Sequence, residues 1–250
     1  MTDIRGKRTL VTGAAKGMGR RMARRFGERG AELILVDIDE ENLRETADEF
    51  RDQGMRAHEF IRDLSSLDEI RDLRDAVHQE VGRVDILVNN AGVVQGGRYD
   101  EIDDAQDELT MQVNIQAVHW MTKTFLPDLE EGRDTHLVQM ASAAGFLGVP
   151  YQVVYSASKW FVIGLSEGVR VELDQRGVDH VGMTIVCPSL VDTGMFEGSK
   201  PPMLAPILEP AEDRLVDGVL AVAAAGQRRR QDQLAGAVGP EHHRLLKLQL

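Results

Sequence analysis

Tyr155 and Lys159 stand four residues apart in a stretch patterned as a helix, so their side chains share one face. A free tyrosine has a pKa of about 10, too high for a base at neutral pH. An ammonium beside it favours the phenolate. Tyr155 is therefore a candidate general base toward an alcohol and general acid toward a ketone. Ser142 lies upstream, just past a strand-like run, where its hydroxyl can donate to a substrate oxygen and orient it. Asn114 falls on an earlier long helical stretch. Taken singly these are a half-buried aromatic, a solvated lysine, a turn serine and a local hydrogen bonder. Their order behind a glycine-rich loop is what points to chemistry.

That loop is Thr12-Gly13-Ala14-Ala15-Lys16-Gly17-Met18-Gly19. It leaves a strand and opens a helix, so bare backbone can approach a pyrophosphate at the helix's positive end. Asp37 ends the next strand, where a carboxylate accepts from ribose hydroxyls and repels a 2′-phosphate. Lys16, inside the loop, speaks for the phosphate instead. After Asp37 come Ile38, Asp39, Glu40 and Glu41, with no cation among them. The balance reads as NAD, with NADP possible.

The elements that must position these residues alternate. Apolar runs at 8–12, 32–37, 56–61, 84–88, 136–140 and 181–187 predict strands. Helical spacing at 17–29, with Met18, Met22 and Phe26 on one side, and at 40–53, 66–81, 106–130 and 152–176 predicts helices. Such alternation predicts an α/β fold, a single-domain Rossmann-type doubly wound parallel sheet with helices on both faces. No linker divides residues 1–250, so one dinucleotide-binding domain is expected. After Pro188 the pattern changes. Pro201, Pro202, Pro206 and Pro210 punctuate an apolar irregular stretch with Met195, Phe196, Met203 and Leu204. We expect a substrate lid at about 189–210, a helix near 210–225 and a tail at about 227–250 with a weak strand over 231–238.

The 250-residue chain carries 29 Lys plus Arg against 41 Asp plus Glu, a net charge of −12. That leaves no basic excess for nucleic acid or an anionic membrane surface. One cysteine, Cys187, excludes an internal disulfide framework and a cysteine-based zinc cluster. It reads as a small buried hydrophobe. His242 and His243 have no acid or cysteine at ligand spacing, and the other histidines are scattered, so no metal site is expected. No signal peptide or apolar run of ~20 residues is present, which predicts a cytoplasmic protein.

Jointly these motifs resemble the short-chain dehydrogenase/reductase family over about residues 6–225. Asn89-Asn90-Ala91-Gly92 follows the fourth strand and Asp63-Leu64 the third, as in that family. Pro188-Ser189-Leu190-Val191-Asp192-Thr193 matches its nicotinamide-contacting segment. The resemblance implies that Asn114, Ser142, Tyr155 and Lys159 form the catalytic set. Lys159 then also holds the nicotinamide ribose, and Asn114 holds a water that relays protons through it. It implies cofactor contacts from Gly13, Ala15, Lys16, Gly17, Met18, Gly19, Asp37, Asp63 (against adenine), Leu64, Asn90, Ala91, Gly92, Pro188, Ser189, Val191 and Thr193. Stretches at 90–94, 122–127, 141–145, 192–196 and 206–210 are similar to the 17β-hydroxysteroid and retinol dehydrogenase branch. Members of that branch commonly carry an N-terminal hydrophobic anchor; this sequence starts at the fold, so no membrane anchor is expected. Ser189 replaces a frequent glycine, and the end of the chain departs from the family's apolar last strand.

Val94, Phe146, Leu147, Val149, Gln152, Ser189, Met195, Phe196 and Met203 are the expected substrate wall, with no fixed cation among them. The reading that follows is NAD-dependent oxidoreduction of a lipophilic secondary alcohol or ketone, steroid- or retinoid-like. An alternative is an NADPH-dependent carbonyl or 3-oxoacyl thioester reductase. A third, of another class, is a non-catalytic nucleotide sensor or scaffold. Trp120, Met121 and Phe125 on one long helix, and Trp160, Phe161 and Leu165 on the other, read as core. By the resemblance these helices pair between subunits, so a homodimer or homotetramer is expected.

Overall fold

The computed structural model describes residues 4–188. Six strands form one parallel sheet: β1 (Arg8–Thr12), β2 (Glu32–Asp37), β3 (Arg56–Ile61), β4 (Ile86–Asn89), β5 (Thr135–Met140) and β6 (Val181–Val186). Their order across the sheet is β3-β2-β1-β4-β5-β6. The order reverses between β1 and β4, and such switch points are where doubly wound sheets bind nucleotides, beyond the carboxyl ends of the strands. β4 begins two residues later than its apolar run predicts. Val84 and Asp85 instead anchor the strand's approach. The Val84 N–H donates to Asp128 Oδ2 at 2.9 Å, and Asp85 bonds Arg8 through both backbone and side chain.

The connecting helices are α1 (Gly17–Glu28), α2 (Glu40–Asp52), α3 (Leu67–Glu80), α4 (Asp104–Met111), α5 (Val118–Glu131) and α6 (Val153–Gln175). Strand alternation divides the apolar residues between the two faces of the sheet. Val11, Leu33, Leu35, Ile86 and Val88 meet Met22 and Phe26 of α1 and Leu43 and Phe50 of α2. Leu10, Ile34, Val36 and Leu87 meet Ile70 and Leu73 of α3 and Met121, Phe125 and Leu129 of α5. Each such fully buried side chain contributes roughly 2 kcal/mol. The near-continuous apolar strands are what a sheet covered on both faces requires.

Two expectations are corrected here. The long helix predicted over 106–130 is not uniform: Gln112–Ala117, with Asn114 inside it, is a π-helical turn between α4 and α5. Trp160, expected in the core, is 55% exposed on α6, whereas Met121 and Phe125 are buried. Among the described residues no helix is long and apolar enough to cross a membrane. The lid, the 210–225 helix, the tail, and the candidates Ser189, Val191, Thr193, Met195, Phe196 and Met203 lie outside the described residues.

Candidate active site

The glycine loop is compacted by its own glycines. Gly13 and Gly17 hold φ of +67° and +58°, a region that side chains rarely adopt. A methyl on Gly19 would overlap the Gly13 carbonyl oxygen. Neighbouring side chains brace the loop from three sides. Asn90 Nδ2 donates to the carbonyls of Thr12 (2.9 Å) and Gly13 (3.2 Å). Thr12 Oγ1 accepts from the N–H groups of Asn90 and Ala91. Thr46 Oγ1 donates to Ala15 O at 3.1 Å, and Asp37 Oδ2 accepts the Ala15 N–H at 2.9 Å.

What the loop leaves open fits a dinucleotide. α2, α3 and α4 are capped by Asp39, Ser66 and Asp103 and carry acids in their first turns. α1 has neither a side-chain cap nor an acid there. Its first amides and its dipole are thus available to a pyrophosphate. Asp37 sits at the end of β2 beside this opening, and Asp63 is exposed after β3. Lys16 is paired with Asp39 at 3.3 Å. The Asn42 side chain, together with Lys16, holds the Asp39 carboxyl below its ordinary value, so that acid stays charged. Leu64 is buried in the core over α3, and Met18 packs against the α1 core.

The catalytic candidates gather past the carboxyl ends of β4 and β5. Ser142 opens a short 3-10 turn (Ala143–Gly145), and its Oγ accepts the Ala144 N–H at 3.2 Å. The turn is fixed on two sides. The Ala143 N–H donates to Pro188 O at 2.9 Å. Gly145 lies so close to α6 that a methyl would stand 2.9 Å from the Lys159 carbonyl. This close approach brings the Ser142 hydroxyl into hydrogen bond with Tyr155. Lys159 Nζ lies 5.6 Å from the Tyr155 ring centroid and donates to Met140 O at 3.0 Å.

Burial reverses the electrostatics expected from spacing alone. Tyr155 is raised above its ordinary value because burial disfavours the phenolate, with the Ser142 hydrogen bond opposing. Lys159 is pushed down to about 8 by burial. The lysine therefore does not overcome the desolvation of the tyrosine. Cys187 is pushed up to about 12 by burial and is no nucleophile at neutral pH.

Asn114 is fully buried, and its amide is taken up by the chain. Oδ1 accepts the Val93 N–H at 2.8 Å; Nδ2 donates to Val93 O at 2.8 Å and to Ser158 Oγ at 3.2 Å. Ser158 Oγ in turn donates to Tyr155 O at 2.7 Å. The Asn114 side chain thus ties the loop after β4 to the turn of α6 that carries Tyr155. Thr12, Thr46, Gly145 and Ser158 are positioning residues that sequence reasoning missed. The available signal was a small or hydroxyl residue adjoining a chemically active one. Of the expected substrate wall, Val94 and Val149 are half-buried, Leu147 is exposed, Phe146 packs partly on the core around Val162, and Gln152 is buried. Among the described residues no group of His, Cys, Asp and Glu is placed to hold a metal.

The short chain dehydrogenase family model matches residues 7–203. Estradiol 17-beta-dehydrogenase 11 of Macaca fascicularis is 38% identical over 220 residues, covering 87% of this chain and 73% of that protein. Epidermal retinol dehydrogenase 2 of Mus musculus is 39% identical over 223 residues, covering 87% and 72%. Among solved structures, a short-chain dehydrogenase/reductase from Burkholderia phymatum in complex with NAD has a TM-score of 0.75 at 30% identity, covering 91% of this chain and 82% of that one. A metagenomic short-chain oxidoreductase in complex with NADP has a TM-score of 0.75 at 30% identity, covering 93% and 96%. The chain belongs to the short-chain dehydrogenase/reductase family, matches its 17β-hydroxysteroid and retinol dehydrogenase branch, and is an oxidoreductase acting on CH–OH groups with NAD or NADP.

Proposed function

We propose that the protein interconverts a lipophilic secondary alcohol, of steroid or retinoid type, and its ketone, with NAD as the preferred cofactor. The observation that carries the cofactor preference is Asp37. Its carboxylate ends β2 beside the glycine loop, and the loop's lysine is already paired with Asp39. A carboxylate there favours ribose hydroxyls over a 2′-phosphate. The substrate class is supported by the apolar Phe146, Leu147 and Val149 on the segment between Ser142 and Tyr155, by Val94 next to the Val93 that Asn114 holds, and by relatives named for estradiol and retinol.

When bound, NAD supplies the hydride acceptor and a positive ring. The backbone of Gly13, Gly17, Met18 and Gly19 would hold the pyrophosphate, and Asp37 the ribose, while Ala15, whose backbone is engaged by Asp37 and Thr46, shapes the loop. Asp63 and Leu64 would line the adenine side, and Asn90, Ala91, Gly92 and Pro188 the nicotinamide side. Ser142 donates to the substrate oxygen and orients it. Tyr155 takes the hydroxyl proton in oxidation and returns it in reduction. Lys159, 5.6 Å from the Tyr155 ring centroid, would hold the nicotinamide ribose and works against the burial that keeps the proton on the phenol. Asn114 acts through Val93 and Ser158 to fix the turn that bears Tyr155.

NAD and NADP titrated separately by calorimetry test the cofactor preference. Tighter NAD binding that weakens in Asp37→Ala is expected, and tighter NADP binding overturns the reading. One observation favours a second reading, carbonyl or 3-oxoacyl thioester reduction with NADPH: burial keeps the proton on Tyr155, the form that reduction needs. The exposed Trp160 on α6, with Leu109 and Met111 exposed on α4, supports a homodimer or homotetramer built on these helices. A monomer mass in light scattering contradicts that assembly.

A further inference from the structure

Gln152, at the position just before α6, makes no side-chain capping bond, is 2% exposed, and its amide Nε2 has no hydrogen-bond partner. A buried donor left unpaired is unfavourable, and native proteins rarely keep one without use. The backbone that places it is also unusual. Tyr151, immediately before it, holds a φ of +64°, a conformation costly for a residue other than glycine. That bend is pinned on both sides. The Tyr151 carbonyl accepts the Gly97 N–H at 2.9 Å, and the Gln152 N–H donates to Val149 O at 3.1 Å. The chain thus holds a strained residue next to a buried amide that its own atoms do not satisfy.

Gln152 precedes Tyr155 by three residues, so the two side chains lie on one face of the first turn of α6. Val149 is held at the same turn, its carbonyl accepting the Gln152 N–H and its N–H donating to Ser156 Oγ at 3.2 Å. We infer that Gln152 is a specificity residue whose amide donates to a second oxygen of the substrate, a carbonyl or hydroxyl near the reacting CH–OH carbon. The separation of the two side chains, about one helical turn or ~5 Å, places that oxygen a few bonds from the reacting carbon. This inference rests on the proposed chemistry at Tyr155. It narrows the substrate from a plain lipophilic alcohol to one with a hydrogen-bond acceptor close to the reacting hydroxyl.

The test compares, with NAD, a secondary decanol and its α- and β-hydroxyketone analogues of the same chain length. The wild type is expected to favour a hydroxyketone by about tenfold in kcat/KM, the value of one hydrogen bond. Gln152→Met is expected to erase that preference through KM, bringing the ratio of kcat/KM between hydroxyketone and decanol to about one. Its melting temperature should be no lower than the wild type's, because the unpaired donor is gone. Gln152→Glu, with no donor when ionised, should also lose the preference. A wild type without preference, or a Gln152→Met variant that keeps it, overturns the inference. So does an equal loss on decanol, which marks a merely structural role. If the wild type oxidises none of these alcohols, the chemistry proposed at Tyr155 falls first and takes this inference with it.

Discussion

Around the glycine loop, Asp37, Thr46 and Asn90 each satisfy a backbone group of the loop, and Thr12 of the loop satisfies the Asn90 and Ala91 N–H groups in return. Around α6 the terms are different. Tyr155 and Lys159 are buried against their charged forms, Gln152 leaves a donor unpaired, and Tyr151 is strained. The nucleotide end is a braced scaffold that needs only an anion at the open start of α1. The catalytic end keeps unfavourable groups that a bound substrate and cofactor can satisfy. Sites built for chemistry commonly carry such local cost, offset by the stability of the rest of the fold.

Breaking each end separately tests this contrast. The largest effect is expected from Tyr155→Phe, which removes the hydroxyl proposed to transfer the proton and keeps the ring. Turnover should fall by roughly 10²–10⁴-fold with NAD binding retained, measured by steady-state rates and calorimetry. Gly19→Ala attacks the other end. Its methyl overlaps the Gly13 carbonyl, so the loop must open. NAD affinity and melting temperature should both drop, and a variant that binds NAD like the wild type contradicts the packing described.

A smaller effect sharpens the comparison, because it involves a buried group at neither end. His136 starts toward the amino end of β5, is 2% exposed, and donates or accepts through Nε2 with Thr184 Oγ1 at 2.8 Å. Burial lowers it from 6.5 to about 4. The unfolded chain therefore binds the proton more readily between those values. Stability is full above about pH 6.5 and falls as the pH drops toward 4, by at most ~3 kcal/mol. Denaturant unfolding across that range checks it. A His136→Gln variant, which has no titrating ring, should lack this part of the profile. Burial of a titratable group is thus not by itself a mark of function; its place at the carboxyl ends of the strands is what matters.

The alternating apolar strands and the Met22–Phe26 spacing made the layers of the fold readable, because burial on two faces imposes period and composition. The glycine loop between β1 and α1 and the nearness of Tyr155 and Lys159 were readable, because a tight turn restricts residue type and helical spacing sets which side chains share a face. The π-helical turn at Asn114 was not, since its partners Val93 and Ser158 are brought to it only by tertiary packing. The sign of the Tyr155 shift was equally hidden. Helical spacing shows that Lys159 is near but not how much water is excluded from both groups. Trp160 was misplaced because an apolar residue on a helix reads as core even where the face is open.

Lys159→Met tests most directly whether the catalytic end trades stability for chemistry. Burial holds the lysine at about 8, against an ordinary 10.5, so keeping it charged at neutral pH destabilises the fold. That penalty is full below about pH 8 and relieved as the pH rises toward 10.5. The account predicts that at pH 7 the variant melts a few degrees higher, about 2–4 °C for each kcal/mol gained, and oxidises no alcohol. A variant that melts lower than the wild type at that pH, or that keeps its turnover, would contradict it.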